Sequence, residues 1–337
     1  MASGPFGAGS ALLAGPLGPP APPGSRRRRR PLALILSACL ALPLAAQKRV
    51  ALTFDDLPFA PPSVALAAQR ALTAKLLGAL RRHRAPAIGF VNEDKLFVKG
   101  EVDGRIGLLE AWLDAGFELG NHTWGHVGFQ ATPLAAYEDA VVRGDAVTRG
   151  LLAKRGKVPR YYRHPFTQTG PTKEDKAAFE AFLAARGYAV APFTVEHDDF
   201  VFAAVYEDAV KQGRRKEAAK VLEAYVAHLD PALETFESMA AELFGREVPQ
   251  ILLVHASRLN ADAMEAMLVK LERRGYAFVS LEEALKDPAY ASPDGYVGPR
   301  GPSWLLRWSK GLGRSTTRKG QPDPPAWIQA RYEGLGR

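Results

Sequence analysis

The sequence predicts an α/β fold, a parallel sheet of about seven strands with helical crossovers, closed or nearly closed into a barrel. Two observations carry this. Short apolar runs alternate with segments of helical period along most of the chain, with no internal repeat. Polar residues with chemical reach, Asp55-Asp56 and Asn121-His122, stand directly after such runs. In α/β folds functional groups gather at the C-terminal ends of strands.

The elements follow in order. Residues 50–54 read as a buried strand and 63–83 as a helix, with apolar residues at three- and four-residue spacing. Strand 87–91, helix 104–115 and strand 117–119 come next, then one helix over 134–152 and a short strand at 161–163. Helix 173–186 stops at Gly187, a usual C-terminal signal, before strand 189–193. Residues 203–244 read as largely helical, broken near Pro231; this is more than a crossover needs, so the stretch is expected to cap one side of a cleft. Strand 250–255, helix 261–274 ending at Gly275, and strand 277–280 complete the pattern. From about 288 onward Gly, Pro and basic residues dominate, and 291–337 is expected as a solvated tail in which Trp304 and Trp308 clasp one short helix onto the body.

Composition limits the function classes. The chain has 337 residues, is 47% hydrophobic and carries a formal charge of +8. Residues 1–46 and 301–337 each hold a net of +5, which leaves the body, 47–300, at −2. A near-neutral body argues against nucleic-acid binding. The single cysteine, Cys39, excludes an internal disulfide and leaves the redox compartment open. Residues 1–25 are Gly/Pro/Ala-rich, an expected disordered extension. Arg26 to Arg30 then precede an apolar run ending in small residues at Ala46, the pattern of a secretory signal. The run is shorter than a membrane span needs, so no stable span is expected after cleavage, and the protein is expected to be exported, periplasmic or secreted. Leu36-Ser-Ala-Cys39 also resembles a lipoprotein box, although the residues after Cys39 stay apolar; cleavage near Ala46 is preferred.

The chemistry centres on His122 and His126. Histidines at i and i+4 fall on one face of a helical turn and reach one ion. A third ligand must come from elsewhere, and Asp55-Asp56 at the end of an apolar run is a good source: one carboxylate binds metal while the other moves protons. Either motif alone is more often a surface or capping feature. Together, each behind a strand, they point to metal-assisted hydrolysis.

The ordered set of motifs resembles the polysaccharide deacetylases, the NodB-homology family, from about Val50 to about Leu285. The motifs are Leu52-Thr-Phe-Asp-Asp56, Asn121-His-Thr-Trp-Gly-His126, Tyr162-Arg-His-Pro-Phe166, the region 194–200 and Leu253-Val-His255. The resemblance implies a distorted (β/α) barrel over 47–290 and removal of N-acetyl groups from an N-acetylated glycan. It implies a divalent metal, usually Zn2+ with Co2+, Ni2+ or Mn2+ possible, held by Asp56, His122 and His126. Asp55 would be the general base, His255 the general acid, and Arg163 the group that holds Asp55 ionised and oriented. Leu253 would line the acetyl pocket, and the backbone around Pro165-Phe166 would supply an oxyanion donor. The fourth motif departs from the family's Asp-Trp: this chain has Glu196-His197-Asp198-Asp199-Phe200. Asp199 aligns with the Asp that tunes the acid and Phe200 with the Trp that walls the pocket; Asp198 competes for the first role. His164 and His197 lie near the site by sequence and are expected to be structural. Two other readings stand beside the deacetylase: a hydrolase of a non-sugar amide or ureide with the same site, and a non-catalytic glycan-binding relative. The second would have no use for a base, its orienter and an acid together.

Overall fold

A computed structural model describes residues 15, 17–20, 47–318 and 320–336; the signal-like segment and Cys39 lie outside the described residues. Among the described residues no helix is long and apolar enough to cross a membrane. The following concerns the compact unit Ala45–Arg337.

Seven strands form one wholly parallel sheet: β1 (Lys48–Ala60), β2 (Ala87–Val91), β3 (Glu118–Asn121), β4 (Tyr161–Tyr162), β5 (Ala189–Val190), β6 (Gln250–Ser257) and β7 (Tyr276–Phe278). The strand order is β5-β4-β3-β2-β1-β6. β7 pairs with the first residues of β1, Lys48 to Val50, ahead of the β2 register that begins at Leu52↔Ala87. The chain beyond β5 then meets the other edge. Val195 bridges to Leu252 of β6: Val195 N–H donates to Ile251 O at 3.0 Å, and Leu253 N–H donates to Val195 O at 2.9 Å. The barrel therefore closes through a single bridge, which agrees with the distorted barrel the sequence predicts. The central strand β2 and strand β6 are apolar runs buried almost throughout, as helix-covered parallel strands require.

The helices are α1 (Leu66–Arg82), α2 (Val102–Asp114), α3 (Leu134–Arg143), α4 (Ala146–Ala153), α5 (Lys173–Ala185), α6 (Asp199–Lys211), α7 (Arg215–Phe244), α8 (Arg258–Arg273), α9 (Leu281–Leu285), α10 (Trp304–Gly311) and α11 (Ala326–Glu333). Three differ from expectation. The single helix over 134–152 is two, α3 and α4. A Cβ at Gly144 would lie 2.5 Å from the Thr123 carbonyl carbon and the Trp124 nitrogen, so the chain turns there under the histidine segment. α4 restarts on a cap from a distance: the buried Glu93 carboxylate accepts from Val147 N–H at 2.9 Å and Thr148 N–H at 2.6 Å. The helix expected to break at Pro231 runs through it, because the buried face formed by Leu229, Ala232, Leu233 and Phe236 is continuous there. The break falls instead at Gly213, whose φ of 68° stops α6.

The stretch expected as a solvated tail packs on the body. Trp304, Leu305, Trp308 and Ile328 belong to the main hydrophobic core, and Arg307 is fully buried. Trp308 packs edge-on against Tyr290 at 5.1 Å and Phe244 at 5.9 Å, so Trp308 clasps α10 onto α7.

Candidate metal centre and catalytic site

β1 runs regularly to Asp55, which pairs in register with His255 of β6. Beyond it both ladders slip, between Phe54 and Leu57 against β2 and between Asp55 and Ala60 against β6. Such an irregularity re-aims side chains. Here Asp56 takes φ 70°, and the two adjacent carboxylates serve different partners instead of alternating across the sheet.

The histidines are not on a helix. β3 ends at Asn121, whose Oδ1 accepts from Thr123 N–H at 2.7 Å and bends the chain at once. Thr123 and His126 both have positive φ, 67° and 48°, and this tight turn, rather than helical spacing, brings the rings to 5.0 Å between centroids. His122 hangs between neighbours: its N–H donates to Val91 O at 3.0 Å, and its carbonyl accepts from Asn92 Nδ2 at 2.5 Å.

The structure brings Asp56, His122 and His126 together, with one candidate ligand atom from each within 4.8 Å of the others. His126 Nε2 is 3.6 Å and His122 Nε2 4.0 Å from Asp56 Oδ1. His122 Nδ1 lies 2.7 Å from the Arg163 carbonyl, which only accepts, so Nδ1 carries the proton and Nε2 keeps its lone pair toward the carboxylates. Burial lowers His122 to about 3, and burial with the neighbouring His122 ring lowers His126 to about 4, so both rings are neutral, as ligation needs. Burial pushes Asp56 up, but Lys95 and the histidines outweigh it and hold the carboxyl well below its ordinary range. Asp56 Oδ1 accepts no hydrogen bond although Lys95 Nζ sits 2.9 Å away as an ion pair. Two neutral imidazoles and a carboxylate that Lys95 holds in place make a donor set that suits a divalent cation.

The remaining motif residues flank this trio. Arg163 is fully buried, with its NH1 3.5 Å from Asp55 Oδ1; its NH2 donates to Thr53 Oγ1 at 3.0 Å and Pro192 O at 3.3 Å, and the guanidinium lies over the Phe90 ring at 4.8 Å. Burial raises Asp55, against the lowering pull of Arg163. On the other side Asp199 takes both groups of His255: Nδ1 at 2.8 Å and the backbone N–H at 2.7 Å. Burial opposes protonation of His255, but Asp199 more than compensates and raises it to about 10. Asp198, the competitor, points elsewhere and accepts from Gln321 Nε2 at 3.3 Å.

Leu253 is buried in β6 and Pro165 in its loop. Phe166 is 58% exposed, and its ring meets His126 edge-on at 4.5 Å. Phe200 is 47% exposed and lines a cleft of about 420 Å³ that opens onto Asp56, Lys95 and His255. α6 forms one wall through Ala203, Ala204 and Glu207, which puts part of the 203–244 stretch at the cleft, and Leu335 after α11 contributes to the same lining. His164 and His197 are buried among rings: His164 beside Tyr162 at 5.0 Å, His197 stacked on Tyr225 at 4.8 Å.

Three site residues carry no motif. Asn260, at the start of α8, donates to Asp199 Oδ2 at 2.7 Å and is itself held by Tyr225 OH at 2.5 Å. No spacing in the sequence marks either. Lys95 follows strand β2 by a few residues, so its place at a strand C-terminus was a usable signal.

Residues 45–181 match the family model described as polysaccharide deacetylase. Among curated proteins there is no sequence match. Among solved structures, the chain is similar to the peptidoglycan deacetylase PdaC from Bacillus subtilis, at 22% identity over 72% of this chain and 93% of that one, TM-score 0.46. It is similar to a family 4 carbohydrate esterase from Streptomyces lividans, solved in complex with acetate, at 20% identity over 70% and 95%, TM-score 0.45. It is also similar to BA3943 from Bacillus anthracis, described as a CE4 family pseudoenzyme, at 16% identity over 71% and 66%, TM-score 0.47. The matched stretch, residues 45–181, carries Asp55, Asp56, His122, His126 and Arg163, and the model it matches describes the family that the motifs resemble.

Proposed function

We propose that the protein is a metal-dependent hydrolase that removes N-acetyl groups from an N-acetylated glycan. The observation that carries the reading is convergence. The Asp56, His122 and His126 donors come together, and the Asp55–Arg163 and His255–Asp199 pairs adjoin them, Asp55 in register with His255 on adjacent strands. A divalent cation bound there would polarise the amide carbonyl and acidify a water molecule. Asp55, oriented by Arg163, which pulls its carboxyl toward the ionised form against burial, would take a proton from water as the water oxygen bonds to the carbonyl carbon. His255, kept protonated by Asp199, delivers its Nε2 proton to the amide nitrogen as the C–N bond breaks. Acetate and a free amine leave. Phe166 and Phe200 are the exposed apolar surfaces that a sugar ring or acetyl methyl would meet, and Leu253 is buried in β6 two residues before the acid.

The test is acetate release by the purified protein from N-acetylglucosamine oligomers and peptidoglycan, with and without a chelator and with zinc added back. Release that chelation abolishes and zinc restores is expected. A second reading keeps the same chemistry on a small non-sugar amide; the walling of the cleft by α6 and Leu335 favours it. Zinc binding without acetate release from either glycan would select that reading. We also propose export, on the support of the Arg26–Ala46 pattern; N-terminal sequencing of the protein recovered from its native source tests this, with a start near Gln47 expected.

A further inference from the structure

The loop 165–169 carries Phe166 against the metal-ligand candidate His126. Phe166 and Thr167 are consecutive non-glycine residues at positive φ, 52° and 51°. Such a conformation persists only where the surroundings over-determine it. What surrounds it is the chain's C-terminal segment, far outside the family-matched stretch 45–181. Thr167 Oγ1 lies 2.7 Å from both Gly301 O and Phe166 O, which share its one proton, and Gln168 Nε2 donates to Pro299 O at 3.0 Å. From α10, Arg307 NH2 donates to Thr167 O at 2.6 Å and NH1 to Thr169 Oγ1 at 2.9 Å.

Arg307 is itself fixed. Its Nε donates to Pro302 O at 2.9 Å, Asp294 Oδ2 lies 3.3 Å from NH1, and the guanidinium stacks over Trp304 at 4.1 Å and near Tyr296 at 5.1 Å. The backbone approach is equally tight. A Cβ at Gly301 would stand 1.5 Å from Thr167 Oγ1 and 2.3 Å from Phe166 O. Only glycine lets the segment lie this close, and any side chain there must push the loop.

We propose that segment 294–307 is part of the site, with Arg307 and Gly301 as positioning residues that hold loop 165–169, and through it Phe166, in register with the metal ligands. Neither residue touches substrate; both act through the loop. The kinetic arm of the test rests on the deacetylase reading, and the exchange arm does not.

The experiment compares the wild-type full chain with Gly301→Ala, Arg307→Ala and Arg307→Lys. Zinc affinity is read by calorimetry, amide hydrogen exchange across 165–169 by mass spectrometry, and kcat and KM by acetate release. In Gly301→Ala, exchange in the loop should accelerate while zinc affinity holds, and kcat should fall about 10- to 100-fold with KM changed about threefold or less, the cost of a misplacement near 1 Å. Arg307→Lys, which keeps one donor to Thr167 O, should retain more activity than Arg307→Ala. Loop exchange or kcat at the wild-type value in Gly301→Ala would overturn the proposal, as would a parallel loss of zinc affinity. If the wild-type chain releases no acetate the functional reading fails, and the exchange arm alone decides the positioning role.

Discussion

Replacing Arg163 with Met removes the cation that pulls most strongly on Asp55, ahead of His255. Both partners are buried, and Asp55 Oδ1 accepts no hydrogen bond, so the charge of Arg163 is the largest favourable influence on the ionised carboxyl. At 3.5 Å and an effective dielectric near 20, the interaction is about 5 kcal/mol. That corresponds to at most about 3 pH units, and shifts of about 1–3 units are usual for such neighbours. The sign follows from the role. The base must be ionised, so activity appears above the Asp55 pKa, and removing Arg163 moves the acidic limb of kcat/KM upward by about 1–3 pH units. At pH 7 the variant should lose about 10- to 1000-fold and regain much of it on the alkaline side. Wild type and variant carry the same metal, so their difference isolates Arg163. Stability should follow in an unusual direction. Burial already raises Asp55 in the folded state, and the variant raises it further. Stability from the protonated form is therefore present below the ordinary carboxylate value and lost as pH rises through the folded one. The variant should lose about 3–5 kcal/mol near neutral pH and less in acid. Acetate release from pH 5 to 10, with urea unfolding at both ends, measures both. An acidic limb left in place, with equal loss at every pH, would refute the assignment of Asp55 as base oriented by Arg163.

Three further outcomes are expected. Asp56→Ala and His122→Ala should each weaken zinc binding by more than about 100-fold in calorimetry, and the zinc-induced rise in Tm should vanish with it. Asp199→Asn removes the group that raises His255, so the acid deprotonates at lower pH and the basic limb of the profile moves down; a limb that stays where it was would free Asp199 of this role. Trp308→Ala should cost about 3–5 kcal/mol in denaturant unfolding, because the ring is 1% exposed and wedged between Tyr290 and Phe244; a loss under about 1 kcal/mol would mean that the C-terminal segment does not share the core.

The regular part of the fold was legible in the sequence because regular elements leave a period. The β1, β2 and β6 cores and helices α1, α5 and α8 fall within a few residues of where apolar spacing places them. Where two signals competed, the local one misled at Pro231 and the period misled at Gly144. Pro231 looked like a helix breaker, but a continuous buried face from Leu229 to Phe236 outweighs one missing hydrogen bond, and the real stop is the left-handed Gly213. The 134–152 segment kept its helical period across Gly144, and the need for a break lies in a distant contact, the Thr123–Trp124 backbone against that glycine. The tail read as polar because its apolar residues are few. Those few, Trp304, Leu305, Trp308 and Ile328, are the ones buried.

The site was legible as a set of residue types and illegible as geometry, and both have one cause. Metal-ligand and acid-base chemistry restricts which side chains serve, so Asp55, Asp56, His122, His126, Arg163 and His255 stand out as letters. Aiming them requires backbone that no period describes. Asp56, Thr123, His126, Phe166 and Asp198 all sit at positive φ without being glycine, each at a cost of about 1–3 kcal/mol. The helical turn inferred from His122 and His126 failed for this reason: i,i+4 spacing brings two rings together on a helix, but an Asx turn at Asn121 followed by two left-handed residues does so too, and leaves Nε2 of each ring near the Asp56 carboxylate. The supports that hold these strained positions are remote in sequence. Glu93 caps α4 beneath the histidine turn, Asn260 fixes Asp199, and Arg307 grips the Phe166 loop. A residue whose function is to hold another has no preferred spacing to it, so such residues become visible only once the chain is folded.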